Sequence, residues 1–132
     1  MKAAIILAAL ALGTQAAPGL DPALTVGSFI QRWTRVEGLK EMAKIDPDTR
    51  FLAQQIMFSL KAWKLQLEAD TAAGKPPRAC PVKGTTTKID SKEILTALRA
   101  IPEEKRGTSF RDAMFAYLDA RFPCRTVSPS LP

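Results

Sequence analysis

Apolar residues recur along this chain at helical spacing, in four stretches divided by glycine- and proline-rich breaks. The first covers residues 25–44. Val26, Phe29, Ile30 and Trp33 follow the i, i+3, i+4, i+7 pattern of one buried helix face. Gly38 interrupts that stretch, which predicts a separate turn over residues 39–45. The second opens at Asp46-Pro47-Asp48, with Asp46 as N-cap and Pro47 at the first helical position, where its missing N–H costs nothing. Leu52, Ile56, Leu60, Trp63 and Leu67 mark its apolar stripe, and Phe51, Met57 and Phe58 widen the arc. So wide an arc predicts a central helix touched on more than one side. Gly74 followed by Pro76-Pro77 stops it.

Residues 74–88, GKPPRACPVKGTTTK, read as a connecting loop that carries Cys80. The third helix is predicted from Asp90, where Asp90-Ser91-Lys92-Glu93 has a capping-box pattern and Ile89 with Ile94 suits a hydrophobic staple. Ile94, Leu95, Leu98 and Ile101 form its apolar face, and Pro102 ends it. The fourth starts near Thr108 or Ser109 and aligns Phe110, Met114, Tyr117, Leu118 and Phe122 before Pro123 and Cys124. The tail from about residue 125, RTVSPSLP, is polar and proline-bearing, the composition of a frayed end. With no alternating strand pattern, the expected fold is all-α: a small single-domain bundle of four to five helices.

The N-terminus has a different pattern. One positive charge, Lys2, precedes ten apolar residues, 3–12, and then GTQAA. A charged start, a short apolar core and small residues make a signal peptide with cleavage after Ala16. The run is half the roughly 20 residues that a spanning helix needs. Residues 1–16 are therefore expected to be a leader and residues 17–132 one exported helical domain, in the periplasm. No other run is apolar and long enough to span a membrane.

Export gives the cysteines a meaning. Two cysteines in an exported chain read as one bond, Cys80 to Cys124, which would clamp the last two helices at their open end. A redox site would want a C-x-x-C pair, and a zinc site four ligands. The chain has two cysteines and no histidine. The lack of histidine also removes the commonest general base, so no Ser-His-Asp or Cys-His set can be built. The close acid pairs, Asp46 with Asp48 and Glu103 with Glu104, read as a helix start and a solvated turn. Asp112 and Asp119 read as part of a surface charge ladder. Trp33 and Trp63 both fall on core-facing stripes. No catalytic, cofactor-binding or metal-binding residue is therefore expected, and an enzyme is not. The formal charge of +6, one unit of it from Lys2, is spread along the chain and reads first as a solvated, mildly cationic surface; its functional reading is a bias toward an acidic partner or an anionic envelope surface, and nucleic acid is a poor candidate.

The stretch ACPVKG, followed by IDSKEILTALRAIPEEKRGTSFRDAMFAYLDARFPC, resembles the Tai-type, or resistance-associated, immunity proteins of type VI secretion. The signposts are Cys80 and Pro81, the helix between Arg106 and Phe122, and the closing Phe122-Pro123-Cys124. The resemblance covers residues 79–124, and Cys80 and Cys124 are the residues that carry over. It implies a small exported helical protein with a disulfide, which binds a peptidoglycan amidase effector and occludes it. It leaves a homodimer open. The alternatives are an envelope acid-stress chaperone resembling HdeA and a small-ligand carrier, the latter favoured by an apolar cavity near the tryptophans.

Overall fold

The computed structural model describes residues 19–83 and 88–124. Residues 1–18, which include the expected leader, residues 84–87 of the connecting loop and residues 125–132 lie outside the described residues. The described residues form four α-helices: α1 (Val26–Gly38), α2 (Pro47–Ala72), α3 (Ser91–Arg99) and α4 (Phe110–Arg121). Two 3-10 segments, Lys40–Ile45 and Glu103–Lys105, join α1 to α2 and α3 to α4. Among these residues there is no strand, only an isolated bridge between Thr25 and Ser109. The all-α class with one disulfide stands.

Each helix begins where a short polar side chain can hold a free amide. Thr25 accepts from Ser28 N, Asp46 from Asp48 N, Asp90 from Lys92 N and Ser109 from Asp112 N. The capping box forms only in half. Asp90 caps, but Glu93 takes the Arg121 guanidinium at 2.7 Å and so ties α3 to α4. Gly38 is the last residue of α1, and the separate turn expected over residues 39–45 is the 3-10 segment Lys40–Ile45; the chain turns at Lys40, two residues after Gly38, with φ +52°.

α2 is the central element and packs against α1 on one side and α4 on another, while α3 lies against α1 and α4. The starts of α1 and α4 are pinned side by side: Val26 N donates to Thr108 O, Gly27 N to Arg106 O, and Phe110 N to Leu24 O at 2.8 Å. That pinning stacks Phe29 on Phe110 with ring centroids 4.4 Å apart. Around them Val26, Leu52, Trp63, Ile94, Leu98, Met114 and Leu118 complete the core. Gln55 is buried on α2 and holds the approach to α1 at both ends: its Nε2 donates to Gly19 O, and its Oε1 accepts from Asp21 N. Gly19 needs to be glycine, because its φ is +87° and an added Cβ would stand 2.5 Å from the Phe58 ring.

The bond between Cys80 and Cys124 is formed, 44 residues apart in sequence. Next to it, Cys80 N donates to Phe122 O at 2.9 Å, so the connecting loop is held at the end of α4 by a covalent and a hydrogen bond together.

Candidate docking groove

α2 is not covered all round, and its uncovered flank carries the strongest candidate site. An apolar groove of about 570 Å³ runs between the second half of α1, the 3-10 segment after it, the first half of α2 and the start of α3. Trp33, Val36, Leu52, Ile56, Met57 and Ile89 supply its apolar wall, and Glu37, Lys40 and Lys92 its charged lining. The volume falls within the usual range for ligand sites, about 300–1,000 Å³.

The local sequence explains the gap. Ala43 and Ala53, with small side chains, line the same groove as Trp33, Leu52 and Ile56. Met57, one step round the helix, stands 67 % exposed at the edge. Met42 and Ile45, in the adjoining 3-10 segment, are also exposed, at 58 % and 74 %. Of these three, Met57 belongs to the groove lining; large exposed apolar side chains are the mark of a surface that meets something else. Methionine suits such a surface because its unbranched chain re-packs.

The two tryptophans part company here. Trp63 is fully buried, with Nε1 donating to Asp119 Oδ1 at 2.9 Å and its ring 5.9 Å from that of Phe122. Trp33 is only half-buried. It lines the groove, and its Nε1 donates to Glu37 Oε1 at 3.0 Å. The core assignment is therefore right for Trp63 and too broad for Trp33. Met57 is likewise outside the core into which its stripe would place it.

Asp119 does more than join a surface ladder. One oxygen accepts from Trp63; the other accepts from Arg78 Nε at 2.8 Å, so this carboxylate links α2, α4 and the connecting loop. Arg78 also lies over the Phe115 ring, as does Arg111 at 4.2 Å. Among the described residues, the Asp112 carboxylate meets its neighbour Arg111. Asp46 and Asp48 share Arg35, which binds them at 2.7 and 2.8 Å and closes the corner between α1 and α2. That guanidinium, then the Asp48 amide, holds the Asp46 carboxyl below its ordinary range.

At the α3–α4 contact, the nearby Tyr117 hydroxyl and the Arg121 guanidinium hold Glu93 below its ordinary range. Burial, followed by the facing Glu93 carboxylate, pushes the Tyr117 phenol up to about 12. Tyr117 Oη is buried beside Glu93 without a hydrogen bond of good geometry. We read the pair as an electrostatic contact.

Among the described residues, no group of three or more His, Cys, Asp or Glu is placed to hold a metal ion. No helix among them is long and apolar enough to cross a membrane. Sequence reasoning missed the groove because its members come from four segments. The legible signals were Met57, an apolar residue at the margin of the α2 stripe, and Trp33, one of the two tryptophans near which an apolar cavity would favour a carrier. In comparisons with family models, curated proteins and solved structures, nothing matches this chain.

Proposed function

We propose that this chain is an exported periplasmic binding domain of the immunity type, which neutralises a peptidoglycan amidase effector by occluding it. The observation that carries the reading is the open apolar groove with Met57 exposed in its lining. Met42 and Ile45, exposed in the adjoining 3-10 segment, lie outside that lining, so a small molecule filling the groove leaves them in water, whereas a broad protein surface can extend over them. The disulfide supports an oxidising compartment. Occlusion needs a shaped, rigid face and no chemistry of its own. The resemblance of residues 79–124 to the immunity proteins of type VI secretion adds the partner class.

The experiment is protection. The protein is produced with its leader in cells that also export an amidase of the type VI effector class, and lysis is followed. Rescue, together with loss of rescue in Met57→Glu, is the expected result. Lysis unaffected by the protein across the amidase classes, with no complex in calorimetry, would remove the reading. A small-ligand carrier is the second reading, favoured by Trp33 in the groove wall. It predicts that laurate changes Trp33 fluorescence saturably.

A further inference from the structure

The charges around the groove are unbalanced, and the imbalance describes the occupant. Glu37 is the one acidic residue in the lining. It is already satisfied: Oε1 accepts from Trp33 Nε1 at 3.0 Å, and Oε2 faces Arg99 at 3.6 Å. Lys40 and Lys92, both in the lining, have no ion-pair partner among the described residues. Both are exposed, and Lys88, also exposed, directly precedes the lining residue Ile89. The contrast with the arginines is informative. Arg35, Arg78, Arg99, Arg111 and Arg121 all meet carboxylates, and Glu37, the acid within the lining, is among those so engaged.

Lys40 carries a second signal. Its φ of +52° is a left-handed conformation that glycine takes freely and lysine does not. The position ends α1, where glycine is the common choice. A lysine held there, on the lip of an apolar groove, keeps its charge at the cost of backbone strain, and such strain gathers at functional sites.

We infer that the groove receives an acidic amphipathic helix of the protein partner, its apolar face against Trp33, Ile56 and Met57 and its carboxylates against Lys40 and Lys92. The inference rests on the protein-binding reading above and adds the chemistry of the docking element. An open groove flanked by exposed methionine is the setting in which a helix docks through residues at i, i+3, i+4 and i+7. The unpaired lysines then select the sign of the flanking charges. Complementary charge contributes specificity and association rate more than raw affinity.

The test uses two short synthetic helical peptides with identical leucine positions, one flanked by glutamate and one by lysine. Binding to the full domain is measured by calorimetry. The acidic peptide should bind about tenfold more tightly, since two exposed ion pairs together supply an effect of that size. The preference should collapse between about 20 mM and 500 mM salt. Combining Lys40→Gly with Lys92→Glu should abolish it while the circular dichroism spectrum stays unchanged. Both side chains are exposed, glycine relieves the left-handed strain, and an acid suits the first turn of α3.

Equal binding of the two peptides, no binding of either, or a preference untouched by the double variant would overturn the inference. So would saturable laurate binding with no peptide binding. A clear acidic preference without protection against any amidase upholds the inference and removes the immunity reading. Protection that survives the double variant removes the inference alone.

Discussion

Asp119 illustrates how one residue's role depends on what the fold brings to it. In sequence it is an acid on an amphipathic helix, seven positions from Asp112. In the fold its two oxygens accept from Trp63 Nε1 and Arg78 Nε, both at hydrogen-bond distance, from partners 56 and 41 residues away. The indole N–H is buried, so removing its acceptor leaves a donor unpaired, which costs about 1–3 kcal/mol. Asp119→Ala is therefore expected to lower the stability measured by urea unfolding by that amount. Asp112→Ala, which loses only a contact with its exposed neighbour Arg111, should change it by less than about 0.5 kcal/mol. Equal effects of the two would mean that the Trp63 bond contributes nothing.

At the scale of elements, sequence and structure agree best where the cause is local. Asp46, Asp90 and Ser109 cap the helices at which they were placed, because a cap depends only on the residues beside it. Pro47 begins α2 and Pro102 follows α3 for the same reason. Glu93 departs from the pattern because a long-range partner, Arg121, competes for it and wins. The disulfide acts between elements. It joins the connecting loop to the end of α4 and encloses α3 and α4 in a loop that the unfolded chain would otherwise leave open. In the chain-entropy model, closing a loop of this length stabilises by roughly 4 kcal/mol. Cys80→Ser with Cys124→Ser should lower the melting temperature clearly, and hydrogen exchange should rise first in α3 and α4. An unchanged melting temperature would mean that the helix hairpin needs no staple.

For the molecule as a whole, the acids held below their ordinary range set the response to pH. Asp46 is lowered by Arg35 and the Asp48 amide, and Glu93 by Tyr117 and Arg121. A carboxyl whose folded pKa lies below its unfolded one binds fewer protons when folded. Its contribution is complete above the unfolded value, near 4, and is lost as pH falls through the folded value. Stability should hold from neutral pH down to about 5 and decline below about 4. Tyr117 acts in the opposite sense at the alkaline end. Its folded pKa is raised, so stability should fall between pH 10 and about 12. Urea midpoints across pH would check both limbs. A midpoint that rises as pH falls through 4 would contradict the assignment of Arg35 and Arg121 as stabilising partners. Acid loosening of this kind is also what an HdeA-like chaperone would use, so aggregation assays with a client at about pH 3 separate that alternative.

The sequence by itself determined the helical class, the helix starts and stops, and the cysteine pairing. Helical period, caps and proline breaks are set by neighbours a few residues apart, and two cysteines admit one intramolecular pairing. Only the tertiary structure decided which members of each apolar stripe are covered. Trp33 and Trp63 carry the same sequence signal, yet Trp63 is enclosed between α2 and α4 and Trp33 is left on a groove. The difference is made by distant residues: Phe122 and Asp119 meet one ring, while the other shares an open groove with the small Ala43 and Ala53. The unpaired Lys40 and Lys92 were legible as charge but not as a site. They come together through the turn at Lys40 and the docking of α3 against α1, and neither is encoded at short range.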